Sequence, residues 1–311
     1  MSDVSISALN RKIEHNPVAV INEAEERYHS FVREVADRVT KNDKIRIILL
    51  AGPSGSGKTT TANLLSDYIK ERGFTSRVIS LDDFYRDSTD PEYPKQPSGE
   101  RDYEALGALH LPDLVEMLND IARGDEYYLP RYDFKTTRRV SVERCEPITH
   151  GCVIIEGLHA LNPKIFTKLP SEKLLKIFIS VSTNVCKNGE RLVSGRKLRF
   201  VRRMVRDNIF RASDAKRTYS MWQNVLKGEN KYLYPNRDYA DVSFDTFHAF
   251  ELSLMREFAE GVISDELAER YTFLDLVRSA LREATPIDPE LVPSDSLMRE
   301  FISGGRYEKL Y

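Results

Sequence analysis

The sequence predicts an α/β fold in which helices cover both faces of a mostly parallel sheet. Short apolar runs, typical of buried strands, alternate with segments whose apolar residues recur every three or four positions. A glycine-rich turn joins the first apolar run to a helical segment, as in a strand–turn–helix unit. Acidic residues close two later runs, at the point where parallel strands present their carboxyl ends to a ligand.

The predicted elements follow in chain order from local patterns. Asn16 and Pro17 are typical of the cap and first residue of a helix, and apolar residues follow at helical spacing as far as Val39. The polar residues 87–101 are predicted to form a surface loop. Helical periodicity returns beyond about Phe250, and a tail with three prolines ends around Phe301. Buried strands are predicted at residues 45–51, 77–81, 152–155 and 175–181, with helices at residues 59–72 and 111–123.

Composition excludes several classes of function. The 311 residues carry 46 Lys and Arg against 48 Asp and Glu, a net charge of −2, whereas a general nucleic-acid binder would have a basic excess. No apolar stretch approaches the ~20 residues of a membrane-spanning helix. The three cysteines form no CxxC pair, and the N-terminus shows no secretory signal. We therefore expect a cytoplasmic protein without nucleic-acid or membrane partners.

Residues 52–59, which we call the phosphate loop, match the pattern G-x-x-x-x-G-K-[ST]. The glycines let backbone N–H groups surround a phosphate, and the following helix adds positive charge from its N-terminus. Lys58 would contact the β- and γ-phosphates, and the Thr59 hydroxyl would bind Mg²⁺. A glycine-rich turn without a ligand is the alternative. The expected ATP-binding residues here are Gly52, Pro53, Ser54, Gly55, Ser56, Gly57, Lys58, Thr59 and Thr60.

Two acidic positions at predicted strand ends extend this site. Asp82 follows the second strand, where a kinase for alcohols needs a carboxylate to accept the hydroxyl proton. Glu156 ends the third strand, where it could hold Mg²⁺ directly or through water. The alternatives are an ordinary turn at Asp82 and a solvated acid at Glu156.

An ordered set of motifs resembles the phosphoribulokinase/uridine kinase family of P-loop kinases. The motifs lie at residues 52–59, 80–85, 129–134, 155–158, 202–207 and 239–242, within a match from about residue 45 to residue 258. Residues 222–235 and 292–302 are similar to the bacterial uridine kinase-like branch. The resemblance implies an ATP- and Mg²⁺-dependent kinase with a P-loop NTPase-type three-layer α/β/α fold, and it makes Glu156 the Mg²⁺-associated acid.

We expect the chain to divide into three parts. These are an N-terminal helical lead at residues 1–41, a P-loop kinase domain at residues 42–260 with a helical lid at about 190–220, and a helical C-terminal extension at residues 261–311.

The resemblance also implies roles for single residues. Asp82 matches the catalytic base, and Tyr132 matches the aromatic residue that packs beside the nucleobase. Thr137 stands where pyrimidine-specific members have a base-reading His, which leaves the nucleobase open. Of two acids that match the ribose ligand, the spacing favours Glu104 over Asp102. The expected substrate-binding residues are Asp83, Tyr85, Asp102, Glu104, Tyr132, Thr137, Arg139 and Arg203.

Residues 191–217, which we call the basic segment, contain ten Lys or Arg and two acids. Such runs are usually solvated helix faces or nucleic-acid patches. After the fourth strand of this family, however, lies a mobile lid whose arginines reach the transferring phosphoryl group and exclude water. The resemblance therefore implies catalysis by Arg203 and Arg206 together with Lys58, and ATP binding by Arg211.

We expect transfer of the γ-phosphoryl group of ATP to the 5′-hydroxyl of a nucleoside, uridine or cytidine. A phosphoribulokinase- or pantothenate-kinase-like enzyme is one alternative, in which Arg131, Arg138 and Arg139 would hold an anionic substrate. A regulator that binds ATP without catalysis is another, although it would not need Asp82. The sequence leaves open the choice between ATP and GTP and whether the chain forms a homo-oligomer.

Overall fold

The computed structural model describes residues 3–308, and a sheet of five parallel strands lies at the centre of this part of the chain. In chain order the strands are β1 (Asp3–Ser5), β2 (Ile47–Ala51), β3 (Thr75–Ser80), β4 (Tyr127–Asp133), β5 (Arg138–Cys145), β6 (Gly151–Glu156), β7 (Leu174–Ser180), β8 (Asn184–Lys187), β9 (Glu190–Val193) and β10 (Val242–Asp245). The central sheet has the order β10-β7-β2-β6-β3. A second sheet contains β1, β8 and β9, and β4 pairs with β5 as an antiparallel hairpin.

Helices connect and cover these strands. They are α1 (Ile6–His15), α2 (Pro17–Thr40), α3 (Lys58–Glu71), α4 (Leu111–Arg123), α5 (Pro163–Phe166), α6 (Gly195–Arg211), α7 (Ala215–Gly228), α8 (Glu251–Val262), α9 (Asp265–Arg270), α10 (Thr272–Arg282) and α11 (Arg299–Ile302). A 3₁₀ turn over Leu81–Phe84 directly follows β3.

The central sheet separates two apolar clusters, because successive side chains of a strand point to opposite faces. Ile48 and Leu50 of β2 belong to the cluster that includes residues of α2, α3, α6 and α8. Ile47 and Leu49 belong to the cluster on the other face, which includes residues of α4 and α5. The predicted three-layer α/β/α fold with a parallel sheet is therefore confirmed.

The register of the central strands brings their carboxyl ends to one edge. Leu50 of β2 and Ser80 of β3 both pair with Glu156 at the end of β6. The phosphate loop follows β2, and the 3₁₀ turn that contains Asp82 follows β3. Both segments therefore begin beside Glu156.

The strands and helices predicted from the sequence are present, with ends shifted by at most two residues. Asn16 caps α2 as predicted, its side chain accepting from Ala19 N at 3.0 Å. Residues 87–101 contain no assigned helix or strand. The sequence patterns did not predict α1, the β4–β5 hairpin, the β8–β9 hairpin or β10.

Elements at both ends of the described chain pack on the same core. Tyr28 of α2 is fully buried, and its hydroxyl lies 3.0 Å from Thr61 Oγ1 of α3. Leu274 and Phe301 belong to the apolar cluster that contains Ile48. The boundaries at residues 41 and 260 and the limits of the lid stay predictions. Among residues 3–308, no helix has the length and apolar character to cross a bilayer.

Candidate active site

The phosphate loop forms a tight turn between β2 and α3. Gly55 and Gly57 have φ angles of +72° and +85°, which residues other than glycine rarely adopt. A Cβ on Gly55 would lie 2.8 Å from the carbonyl oxygen of Arg199, so the loop packs directly on α6. Lys58 begins α3, and its Nζ donates to Pro53 O at 3.3 Å. The loop therefore has the strand–turn–helix geometry from which P-loops bind phosphate.

Side chains from distant segments hold the backbone of the phosphate loop. Arg199 donates to Ser54 O at 2.9 Å, and Glu229 accepts from Ser54 N at 3.0 Å. Arg199 and Glu229 are fully buried and joined by two hydrogen bonds of 2.7 and 2.9 Å. Thr246 Oγ1 donates to Ser56 O at 2.9 Å. Removing one partner of a buried ion pair typically costs ~3–5 kcal/mol, so this arrangement fixes the loop.

The N-terminal half of α6, within the basic segment, packs in the core. Arg202 is fully buried, and its Nε lies 2.6 Å from Oε2 of the buried Glu251. Arg202 also donates to Gly55 O at 3.3 Å. Its guanidinium is thus a structural ion pair behind the phosphate loop, and the same holds for Arg199. The positive charge at these two positions is therefore neither solvated nor directed at a ligand.

The C-terminal half of α6 places three arginines around one acid. Asp207 is buried, and it lies 3.2 Å from Arg203, 3.2 Å from Arg206 and 3.3 Å from Arg211. Arg203 also donates to Ser54 Oγ at 2.9 Å. Glu300 adds a second carboxylate, 3.6 Å from Arg206. Two carboxylates do not neutralise three guanidinium groups, so the group keeps a net positive charge beside the phosphate loop.

A cavity of about 230 Å³ lies at the carboxyl edge of the sheet, next to the phosphate loop. Its walls combine cationic and acidic side chains. The cations are Lys58, Arg203, Arg206 and Arg211, and the acids are Asp82, Glu104, Glu156, Glu229 and Glu300. The neutral wall residues include Thr59, Tyr85, Tyr103 and His159. The fold thus brings together residues predicted separately from the phosphate loop, two strand ends and the basic segment.

Asp82 and Asp83 have different surroundings although they are adjacent. Asp82 lines the cavity. Loss of surrounding water raises the pKa of its carboxyl, and the positive charge of Lys58 opposes the shift. Asp83 lies outside the cavity wall, where its carboxylate is 3.5 Å from Arg131 Nη1. The 3₁₀ turn separates the two side chains, where sequence reasoning assumed the alternation of a strand.

Glu156 is a buried acid at the end of β6. Burial raises the pKa of its carboxyl to about 7, and Lys58 and a hydrogen bond from Ser80 oppose the shift. Thr59 lines the same cavity and supplies a hydroxyl oxygen. Within residues 3–308 no group of three His, Cys, Asp or Glu side chains forms a metal cage. The Glu156 carboxylate and the Thr59 hydroxyl are two oxygen donors. Such a pair fits Mg²⁺, which usually binds proteins through one or two side chains and completes its coordination shell with water and phosphate.

Glu104 and aromatic side chains form another part of the cavity wall. Burial raises the pKa of Glu104 to about 7, and Arg203 opposes the shift. Tyr85 lies on the cavity and donates from its hydroxyl to Tyr103 O at 3.0 Å. The ring of Tyr132 lies 5.6 Å from that of Tyr85, one layer behind the cavity wall. A planar group entering from this side would meet aromatic surface.

Other predicted substrate residues lie outside the walls that the described residues form. Asp102 accepts from the Tyr232 hydroxyl at 3.0 Å. Thr137 has a φ of +56° and donates from Oγ1 to Ser88 Oγ at 2.8 Å. Arg139 pairs with Asp113 at 2.5 Å. These side chains are engaged with the protein rather than directed into the cavity.

Sequence reasoning missed three acidic or basic cavity residues, namely Glu229, Glu300 and His159. Glu229 and Glu300 lie in segments that the sequence singled out only for family similarity. His159 follows the Glu156–Gly157 pair, and its Nε2 lies 3.0 Å from Glu104 O. Burial lowers its pKa to about 4, so the ring is neutral at pH 7.

The chain resembles known proteins both in sequence and in fold. A family model described as "Phosphoribulokinase / Uridine kinase family" matches residues 47–253. A uridine kinase from Staphylococcus haemolyticus (strain JCSC1435) is 28% identical over 198 residues, which are 63% of this chain and 85% of that protein. A uridine kinase from Lactobacillus helveticus (strain DPC 4571) is 28% identical over 204 residues, which are 65% of this chain and 87% of that protein.

A solved structure from Silicibacter sp. TM1040, described as a candidate fructose transport system kinase, shares the fold. Its TM-score is 0.51 at 17% sequence identity, and the match covers 70% of this chain and 98% of that one.

Proposed function

Because the chain belongs to the phosphoribulokinase/uridine kinase family, we propose that it transfers the γ-phosphoryl group of ATP to the 5′-hydroxyl of a nucleoside, uridine or cytidine. Family membership supports phosphotransferase chemistry in general, and the relatives named uridine kinase support the nucleoside acceptor. The single observation that carries the proposal is the cavity itself. It joins the phosphate loop, the acid Asp82 and the aromatic residue Tyr85 in one space.

In this proposal the phosphate loop and Lys58 bind the triphosphate. Their N–H groups and ammonium offset its charge in a site partly shielded from water. Thr59 and Glu156 would hold Mg²⁺, which neutralises charge on the phosphates when it is bound. Arg203, Arg206 and Arg211 would contact the transferring group, where such arginines typically contribute about 10³–10⁵ in rate.

Asp82 acts as the general base. The acceptor hydroxyl gives its proton to the Asp82 carboxylate while its oxygen bonds to the γ-phosphorus, and the bond from that phosphorus to the bridging oxygen breaks to release ADP. The raised pKa of Asp82 makes it a stronger proton acceptor than an aspartate with the ordinary pKa. Glu104 would bind a ribose hydroxyl of the acceptor, and the ring of Tyr85, with Tyr132 behind it, would pack beside its base.

A smaller sugar or sugar-acid alcohol is a second candidate acceptor. The cavity of about 230 Å³ is below the ~300–1,000 Å³ of typical ligand pockets. Thr137, which stands where a base-reading His is found in pyrimidine-specific members, points to Ser88 and not to the cavity. Both observations favour an acceptor that is read mainly through its hydroxyl groups.

An acceptor screen tests the proposal. Purified protein with MgATP or MgGTP would be given uridine, cytidine, adenosine, D-fructose, D-glycerate, pantothenate and ribulose 5-phosphate, with ADP or GDP release and product mass as readouts. We expect uridine or cytidine 5′-monophosphate as the best product. Without a base-reading His, discrimination between nucleosides by kcat/KM should be about 10² or less, whereas a site built to hydrogen-bond the base reaches 10⁴–10⁵. Turnover of a sugar alone would favour the second candidate.

A further inference from the structure

Residues 292–302, which we call the C-terminal segment, lie against the phosphate loop. This segment is outside the region matched by the family model, which ends at residue 253. A Cβ on Gly57 would collide with the side chain of the buried Leu297. Ser296 donates to Glu25 of α2, with an oxygen-to-oxygen distance of 2.5 Å, and so anchors the segment to the N-terminal helix. The segment therefore packs against the candidate active site, and Glu300 forms part of its wall.

Glu300 of this segment occupies hydrogen-bond donors of α3. Its Oε2 accepts from Thr60 Oγ1 at 2.8 Å and from Thr60 N at 3.4 Å. Thr60 is the third residue of α3, and N–H groups in the first turn of a helix lack partners within the helix. A bound phosphate at a P-loop takes such groups. The carboxylate therefore stands where an anion of the nucleotide would be attracted.

Glu300 also holds an arginine of the basic segment. Its Oε1 lies 3.6 Å from Arg206 Nη1, and Glu300 is only 3% exposed although it borders the cavity. Arg206 is one of the cations proposed to contact the transferring phosphoryl group. One buried carboxylate thus engages both the first turn of α3 and the proposed phosphate-binding arginine.

We propose that Glu300 is a positioning residue. Without nucleotide its carboxylate occupies the phosphate-binding donors of α3 and holds Arg206, and the phosphates of a bound nucleotide displace the carboxylate from both. The inference rests on the proposed function insofar as the ligand is a nucleoside triphosphate. A negative charge at this place opposes the charge of the triphosphate. Glu300 therefore lowers nucleotide affinity. It also keeps Arg206 away from solvent until a phosphate takes the place of Glu300 as the partner of Arg206.

The test compares nucleotide affinity in matched charge-removing variants. Glu300→Gln keeps the shape and an oxygen acceptor for Thr60 but removes the charge, whereas Glu266→Gln changes an exposed acid on α9. We expect the Kd of the magnesium complex of AMP-PNP, measured by calorimetry, to fall about tenfold or more in Glu300→Gln, equivalent to ~1.4 kcal/mol. It should stay unchanged in Glu266→Gln. The KM for ATP should fall with it, whereas a merely loosened phosphate-binding site would raise both the Kd and the KM.

A second measurement uses the unmodified protein. Hydrogen exchange of residues 297–302 should become faster when AMP-PNP and Mg²⁺ are added, because the phosphates replace Glu300 at α3. An equal or weaker affinity in Glu300→Gln, slower exchange in this segment, or no nucleotide binding by any variant would overturn the inference. Binding is measured without an acceptor. If Glu300→Gln binds AMP-PNP more tightly and exchange becomes faster, but no nucleoside is phosphorylated, the proposed acceptor is contradicted and the role of Glu300 is supported.

Discussion

For the candidate metal ligand Glu156, burial sets the pH range in which its carboxyl is ionised. Its pKa is raised to about 7, so the carboxyl is ionised above that pH and protonated below it. Mg²⁺ requires the ionised form. We expect the Mg²⁺ concentration for half-maximal turnover to rise by up to about tenfold between pH 7 and pH 6 and to stay nearly constant above pH 8. Turnover titrated with Mg²⁺ at fixed ATP measures this.

Glu156→Gln provides the control for that prediction. The variant should bind Mg²⁺ about 10- to 100-fold more weakly, as is typical when a group that supports a metal site is lost, and its Mg²⁺ requirement should no longer depend on this titration. The same pH dependence in wild type and variant would instead trace it to the nucleotide.

Single site residues were predictable where their chemistry is local in sequence. Lys58 and Thr59 follow from a contiguous pattern, and Asp82 and Glu156 follow from strand ends that the fold places at one edge. Glu300 was not predictable in this way. It approaches Thr60 across 240 positions, and nothing in its neighbours marks it as a cavity residue.

The α2 helix offers a test of how far the elements outside the family match stabilise the fold. Ile21 is 1% exposed within the main apolar cluster, whereas Val18, one turn earlier, is 46% exposed. Ile21→Ala should lower the free energy of unfolding by about 2–5 kcal/mol through lost burial and a cavity. Val18→Ala should change it by less than about 0.5 kcal/mol.

Urea unfolding of both variants measures the difference. If both variants change the free energy of unfolding by the same small amount, α2 contributes little to the folded core. The N-terminal helical lead of residues 1–41 would then be a separable unit.

Elements were predictable where a buried face leaves a clear apolar run or helical periodicity. The apolar run of β2 and the periodicity of α2 and α3 gave their positions to within two residues. The basic segment has the spacing of an amphipathic helix, but this spacing did not show which of its arginines are buried and paired. Arg199 and Arg202 are buried because Glu229 and Glu251, 30 and 49 positions away, neutralise them. Such pairing depends on the tertiary fold, and the sequence carries no local sign of it.

At the scale of the whole molecule, nucleotide binding should stabilise the folded state. A ligand at 100 times its Kd contributes ~2.7 kcal/mol, which corresponds to a rise in Tm of ~4 °C for a chain of this size. We expect such a rise with AMP-PNP and Mg²⁺. Lys58→Ala should abolish it, because the triphosphate loses its main charge partner.

Lys70→Ala is the matched control, since this exposed lysine lies near the other end of α3. Its shift should equal that of wild type in thermal unfolding followed by circular dichroism. A full shift in Lys58→Ala would remove the basis for a nucleotide site at the phosphate loop.

The measurement that tests phosphoryl transfer in this cavity most directly compares two neighbouring aspartates. Asp82→Asn keeps the shape of the cavity-facing side chain but removes the proton acceptor, and Asp83→Asn alters the acid that pairs with Arg131 outside the cavity. With uridine and MgATP, kcat for formation of the 5′-monophosphate should fall by about 10²–10⁴ in Asp82→Asn, with the Kd of AMP-PNP within about threefold of wild type. Asp83→Asn should retain most of its activity. Full activity in Asp82→Asn, or a greater loss in Asp83→Asn, would contradict the assignment of Asp82 as the base and the mechanism built on this cavity.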